Sequence, residues 1–323
     1  MLDETSLIAK YFAPQRVWRG DVILPIGDDA AIVSADAKHQ LALTADLLVD
    51  GVHFPENTDP YAIGYKSLAV NLSDLAAMGA EPAWALMMLS LPVAEPDWLA
   101  AFSEGFFKLA EEHRVQLIGG DIVRGPLSIG VQAIGKVAPG SALTRYHARP
   151  GDDIYVSGSI GGAALALRAL QEPGLFNDEE RAHLVAKLEY PVPRVSLGQK
   201  LRKLATAAID LSDGLALDLK RITEASQVAA MVEIEQLPVN RVYRRHYAQQ
   251  WDLALSGGDD YELCFTAPRA HAAKIKTLSK KLEISLTRIG CIEEGSGVQF
   301  CDAKGEIYQL AAQAEGYDHF SGL

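Results

Sequence analysis

Apolar residues recur at helical spacing between Tyr61 and Ala77, where Tyr65, Leu68, Leu72 and Leu75 form one stripe. Ser67, Asn71 and Asp74 share a second face of this helix, displaced from the stripe. Gly79 and Pro82 in "MGAEP" stop it. The run "AWALMMLSLPVA" (83–94) is almost wholly apolar but too short to span a bilayer, so it reads as a buried strand. Residues 97–113 return to helical spacing. "VQLIGGDIV" then predicts a strand, a tight turn and an exit, and "LSIGVQAIGKV" (127–137) alternates as a strand does.

The texture changes at "APGSALTRYHARPGDD" (138–153), which is rich in Pro and Gly and reads as the domain boundary. It separates an N-terminal domain over 1–138 from a C-terminal domain over 149–323. The C-terminal part opens with "DIYVSGSIGGAALALRAL": strand, Gly-rich turn, helix. "ATAAIDLSDGLALDLKRITEAS" repeats the plan, with a strand to Leu211, Ser212 as N-cap and Leu215, Leu219 and Ile222 facing inward. "LALSGGDDYELCFTAP" is a turn feeding an apolar strand, and "SLTRIGCIEE" is another strand. The fold class is α/β of the α+β type, with two mixed domains. At 323 residues the chain exceeds the size at which one core usually splits.

Composition narrows the function. Thirty basic against 42 acidic side chains leave a net charge of −12, which argues against a general nucleic-acid binder. It leaves a small anionic substrate open, because bound cations reverse a local field. "MLDETSLIAKYF" lacks the basic and apolar regions of a signal peptide. Cys264, Cys291 and Cys301 are odd in number and lack CxxC spacing, so reduced thiols in a cytoplasmic protein with no membrane partner are expected. Cys264 and Cys291 lie in apolar runs and read as inert core residues.

The chain repeatedly sets aspartates beside Gly, Ser or Thr: "IGDDAAIV", "TADLLVDGVHF", "NLSDLAAMGA", "LIGGDIVRG", "AIDLSDGLALDL" and "SGGDDYELCF". One such acid is ordinarily turn chemistry. Six segments, most at ends of apolar strands or beside a helix stripe, would repel one another in a common cleft unless a cation sat among them. Hard divalent cations bind through oxygen. Asp28, Asp29, Thr44, Asp46, Asp74, Asp121, Asp210 and Asp213 supply that chemistry. Asp28 has an equally good role in orienting its loop, and Asp213 in capping the helix it opens. Asp218 and Asp260 read as structural. Zinc is disfavoured, since His and Cys do not cluster and HExxH is absent. Several Mg²⁺ ions in an acidic cleft suit a polyphosphate, whose transfer needs positioning and charge neutralisation. The chain has no GxxxxGK[ST] and no protein-kinase HRD or DFG set. "GSIGGA" (158–163) has the wrong spacing for a dinucleotide fingerprint.

The ordered set "GDDAA", "LTADLLVDGVHF", "AVNLSDLAAMGAEP", "LIGGD", "ALTR…RPGD", "IDLSDGL", "SGGDDYELCFT" and "GYDHF" resembles the thiamine-monophosphate kinase family, related to aminoimidazole ribonucleotide synthetase and selenophosphate synthetase. The resemblance runs from near the N-terminus to Phe320. It implies ATP-dependent phosphorylation of thiamine monophosphate to thiamine diphosphate with several Mg²⁺ ions, at a site between the two domains. It also implies a homodimer paired through the N-terminal sheets, and a C-terminal sheet covered by helices. Carried over by position, the metal ligands are Asp29, Thr44, Ala45 (through its carbonyl), Asp46, Asp74, Asp121, Asp210 and Asp213. Asp46, Asp74 and Asp121 carry the catalytic charge. Gly120, Asp121, Arg145 and Ser212 approach ATP, and His53, Asp259 and Tyr317 face the substrate. Without the resemblance, His53 reads equally as a surface imidazole and Arg145 as a solvated linker residue. Two positions depart from the family's habit: Asp259 stands where Glu is common, and Ser103 where a tyrosine is. The alternatives are another ATP-dependent enzyme of the superfamily, such as a ring-closing synthetase, or a non-enzymatic divalent-cation binder. The first cysteine is Cys264, which counts against a selenide-activating enzyme with a reactive N-terminal thiol.

Overall fold

The structure, a computed structural model, describes residues 4–16, 18–26 and 30–310. The chain divides into two units, residues 1–75 with 80–141 and residues 76–79 with 142–323. No described helix is long and apolar enough to cross a membrane.

Unit 1 runs through α1 (Glu4–Leu7), a π-helical turn (Ile8–Phe12), β1 (Val22–Leu24), β2 (Ile32–Val33), β3 (Gln40–Val49), α2 (Pro60–Ala77), β4 (Glu81–Leu91), α3 (Pro96–His113), β5 (Gln116–Arg124) and β6 (Ser128–Val137). β3 to β6 form one sheet in the order β3-β6-β4-β5, with β4 and β5 parallel and the other pairs antiparallel. The stripe read from the sequence is the buried side of α2: Leu68, Leu72 and Leu75 are closed to solvent. α2 and α3 touch backbone to backbone. A Cβ on Gly64 would fall 2.0 Å from the Phe102 carbonyl oxygen, and one on Gly105 would fall 2.0 Å from that of Tyr61. Glycine weakens a helix interior by about 1 kcal/mol, and here the close approach requires it.

The double glycine differs from expectation. Gly119 and Gly120 lie inside β5, and no turn interrupts the strand. The pairing with β4 shifts between Ala85 and Leu86, which makes a bulge. Gly120 takes φ +149°, and a Cβ there would lie 1.8 Å from the Met87 carbonyl oxygen. Contact with the neighbouring strand, rather than chain reversal, selects this glycine.

The sheet has one open face. Leu47, Gly130, Met88 and Asp121 stand in one row across β3, β6, β4 and β5. Leu47 is 58% exposed and Met88 45%, and Leu43, two rows on along the same side of β3, is 60% exposed.

Unit 2 comprises β7 (Asp152–Ser157), α4 (Gly162–Gln171), α5 (Asp178–Glu189), α6 (Val195–Leu201), β8 (Ala207–Asp210), α7 (Leu215–Ser226), β9 (Ala229–Glu233), α8 (Arg241–His246), α9 (Asp252–Ser256), β10 (Leu263–Pro268), α10 (Ala272–Leu282), β11 (Leu286–Glu293) and β12 (Gly297–Cys301), with short 3₁₀ turns at Ile234–Gln236 and Arg269–His271. The sheet order is β12-β9-β11-β7-β10-β8, and only β9 and β12 run parallel. Leu165 of α4, Leu184 of α5 and Leu215, Leu219 and Ile222 of α7 pack with Ile154, Val156 and Ile209 of the strands in one core.

Ser212 does not cap α7. Gly214 occupies that position and no side chain caps it. The turn is held from outside: Asp259 N–H donates to the Ser212 carbonyl and Tyr261 N–H to that of Leu211, both at 2.9 Å. The cysteine reading needs one exchange. Cys264 is buried, and burial pushes its thiol pKa up. Cys291 is only half-buried, whereas Cys301 is buried.

The glycine-rich loop before α4 is an anion site filled from within. The Asp260 carboxylate accepts N–H bonds from Gly161 at 2.6 Å, Gly162 at 3.1 Å and Ala163 at 3.4 Å. This is the partner a helix N-terminus requires, so the loop has no call on a dinucleotide phosphate. Burial pushes the Asp260 carboxyl up to about 7, against the pull of the three amides. A folded-state pKa above the unfolded one means a contribution that is complete below about pH 4 and lost as pH rises through 7. Urea unfolding should therefore show the wild type losing about 4 kcal/mol relative to Asp260→Asn between pH 4 and 8. A difference that does not change with pH would refute this titration.

Candidate functional site

In unit 1 the pleat of β3 turns Thr44 and Asp46 to the same side as buried Leu48. The Thr44 hydroxyl donates a short hydrogen bond to Asp74 Oδ2 on α2. One turn earlier on α2, Asn71 is fully buried; its Nδ2 donates to the Ser67 carbonyl, and its Oδ1 has no partner. Asp46 and Asp121 line one pocket of about 360 Å³ with Ala45, Met88 and Ser90. They stand on the two edge strands, β3 and β5, and on opposite sides of the sheet, Asp46 with buried Leu48 and Asp121 with exposed Met88. Asp121 Oδ1 also accepts the Ile122 N–H at 2.9 Å.

His53 sits in the turn that follows β3. Its Nδ1 accepts the Val49 N–H at 3.0 Å, so the neutral ring carries its proton on Nε2. Lys66 of α2 is 2% exposed, and its Nζ donates to the His53 carbonyl at 3.0 Å. Sequence reasoning missed this lysine; a charged residue within the most apolar helix was the available signal. Ser103 on α3 is buried and donates to the Ala100 carbonyl.

In unit 2 Asp210 ends β8 and is 4% exposed. Three residues on, Asp213 pairs with Arg221 of α7 at 2.6 Å, and Asp218 pairs with the same guanidinium. Burial, opposed by Arg221, pushes the Asp218 carboxyl up to about 6. Asp218, read from sequence as structural, is thus tied to a candidate ligand. The Asp218–Arg221 spacing of three on a helix was the signal for it. Asp259 takes φ +66° and Tyr261 φ +48°. Two consecutive-but-one residues in the left-handed region mark a constrained turn. The Arg145 side chain is exposed, and its carbonyl accepts from Ser226 Oγ at 2.6 Å. Asp28, Asp29 and Tyr317 lie outside the described residues.

Both halves of the chain match a known domain family: AIR synthase related protein, N-terminal domain, over residues 27–137, and the corresponding C-terminal domain over 149–301. The thiamine-monophosphate kinase of Escherichia coli (strain K12) is 45% identical over 322 residues, 98% of each chain. The chain belongs to the thiamine-monophosphate kinase family. The crystal structure of the family member from Stenotrophomonas maltophilia K279a is 49% identical, with a TM-score of 0.85 over 90% of this chain and 93% of that one. A second member, AaThiL complexed with AMPPCP and TMP, is 32% identical, with a TM-score of 0.77 over 91% and 92% of the two chains.

Membership of this kinase family raises the question of whether the residues present suit Mg²⁺. Among the described residues no three His, Cys, Asp or Glu side chains form a closed metal cage. Mg²⁺ bound with phosphates does not need one, since it keeps waters and takes one or two carboxylates. The donors here are all oxygens and come in small numbers: Thr44 with Asp74, Asp46 on the same side of β3 as Thr44, and Asp121 on the far edge strand. The orphaned Asn71 Oδ1, three residues before Asp74, suits a donor such as a metal-bound water. The residues fit the ion.

Proposed function

We propose that this member of the thiamine-monophosphate kinase family transfers the γ-phosphoryl group of ATP directly, in line, to the phosphate of thiamine monophosphate. The observation that carries this reading is the oxygen pair of Thr44 on β3 and Asp74 on α2, an open donor set that suits metal-bound phosphates better than a caged ion. Thr44, the Ala45 carbonyl, Asp46, Asp74 and Asp121 would hold Mg²⁺ from unit 1, Asp210 and Asp213 from unit 2, and Asp29 completes the set. Bound Mg²⁺ would supply neutralisation of charge on the transferring phosphoryl oxygens. Gly120, next to Asp121 on β5, would serve the nucleotide through its backbone. Arg145 and Ser212 also serve the nucleotide. His53 would offer Nε2–H to the anionic acceptor, and Asp259 and Tyr317 would recognise the rest of it.

No side chain needs to act as general base, because the acceptor phosphate is already anionic at neutral pH. The anionic acceptor can attack the γ-phosphorus itself, so direct transfer requires no phosphoenzyme. ATP made chiral at its γ-phosphorus should give product with inverted configuration, whereas retention would establish a covalent intermediate. Omission of Mg²⁺ should abolish transfer. Turnover undiminished in excess chelator would remove the metal from this reading.

The open sheet face supports a homodimer. Exposed Leu41, Leu43, Leu47, Met88 and Val123 lie on one side of the sheet, and clustered exposed apolar side chains mark an interaction surface. Leu43→Glu combined with Leu47→Glu should convert dimer to monomer in light scattering. An unchanged mass would place the dimer contact elsewhere.

A further inference from the structure

The turn after β8 already contains a cation. Arg221 Nη2 lies 2.6 Å from Asp213 Oδ2, and Nη1 lies 2.6 Å from Asp218 Oδ1. The second oxygen of Asp218 accepts the Asp213 N–H at 3.0 Å. The three side chains differ in access: Asp218 is closed to solvent, whereas 26% of Asp213 and 35% of Arg221 remain exposed. One guanidinium therefore serves two carboxylates of different standing. Asp218 is fixed on its own helix, under Arg221 and against a backbone amide. Asp213 stands at the rim, on the short turn between β8 and α7.

The two contacts of Arg221 have different consequences. A carboxylate needs a partner when it is buried, so Asp218 keeps the guanidinium in place. Asp213, partly open to water, gains little from a surface-type pair, worth at most about fivefold in an equilibrium. Its oxygen cannot serve Arg221 and a divalent ion fully at once, and two cations at one oxygen repel. We infer that Arg221 is a positioning residue that holds Asp213 in the metal-free protein and gives it up when Mg²⁺ arrives, remaining on Asp218. Arg221 thereby raises the Mg²⁺ concentration at which unit 2's carboxylates engage. This rests on the reading of Asp213 as a Mg²⁺ ligand.

The test measures Mg²⁺ binding to the full-length protein by calorimetry and by the Mg²⁺-dependent shift in Tm, with and without AMPPCP, independently of turnover. Arg221→Gln should lower the Tm of the metal-free protein, recover it in Mg²⁺, and bind Mg²⁺ roughly three- to fivefold more tightly. Arg221→Lys keeps the charge but loses the two-pronged hold, so it should also bind Mg²⁺ more tightly than wild type, by less. A Lys variant identical to wild type would reduce the effect to bulk charge and overturn the positioning role. Mg²⁺ affinity within twofold of wild type in Arg221→Gln would overturn it as well. Should Arg221→Gln fail to fold around Asp218, the double variant Arg221→Gln with Asp218→Asn removes the stranded charge and should show the same tightening. Asp213→Asn separates the two levels of the argument. If it binds Mg²⁺ as wild type does, the ligand assignment fails and the inference with it. If it loses Mg²⁺ while the Arg221 variants stay unchanged, only the inference fails.

Discussion

Asp46→Asn and Asp121→Asn should each lower kcat by on the order of 10²- to 10³-fold, the cost of removing one fixed charge from a phosphoryl-transfer site. Stability should move the other way. In the metal-free protein each change removes a negative charge near other acids, so Tm should hold or rise. Parallel kinetics and thermal melts check both halves. Variants that melt early yet keep full activity per folded molecule would sink the assignment. The sheet adds a second expectation. Asp46 and Asp121 stand on opposite edge strands with β6 and β4 between them. Three strand spacings put their backbones roughly 14 Å apart, whereas two ligands of one Mg²⁺ lie within about 4 Å of each other. Asp46→Asn should then leave Mg²⁺ bound near Asp121 in place, and the reverse, in Mg²⁺ titrations of each variant. Loss of all Mg²⁺ binding in either variant would put both carboxylates on one ion.

The elements that could be read from the chain were those whose periodicity and burial agree. α2 shows its stripe at Leu68, Leu72 and Leu75 because a helix packed on both a sheet and a helix must be apolar at those positions. β4 is legible because it is apolar on both faces, Met87 and Leu89 toward the core and Met88 on the open side. Where sequence reasoning failed, a distant partner decided the outcome. Gly119–Gly120 looks like a turn until Met87 is known to press on it. Ser212 looks like an N-cap, but its turn is fixed through the backbone of Asp259 and Tyr261. "GSIGGA" looks like a phosphate loop, and a carboxylate about a hundred residues away occupies it. The candidate acids were visible as residue types. Their neutralisation by Arg221 was not, because that pairing joins a turn to the second turn of the following helix.

Asp259→Asn should weaken thiamine monophosphate binding about tenfold to a hundredfold while leaving ATP affinity unchanged, the loss expected for one charge-assisted hydrogen bond of roughly 1.5–3 kcal/mol. The resemblance implies Glu at this position, one methylene longer, so a substrate-binding Asp259 would reach the amino-pyrimidine through a shift of the turn or a bridging water. The backbone explains why a shorter acid is at home here. Asp259 takes φ +66°, and its N–H is anchored to the Ser212 carbonyl. Asp and Asn enter the left-handed region more readily than longer side chains do. Three substitutions then separate reach from strain. Asn keeps the backbone preference and removes only the charge. Ala removes both, so its added cost should appear in Tm, by about 1 kcal/mol, beyond the same loss of substrate affinity. Glu should hold or improve substrate affinity through its longer reach while lowering Tm slightly. Separate titrations of each ligand into each variant, alongside melts, give the answer. If Asn binds the substrate as well as wild type does, and only Ala and Glu shift Tm, Asp259 serves the turn alone. If ATP affinity falls in its place, the side chain belongs to the nucleotide.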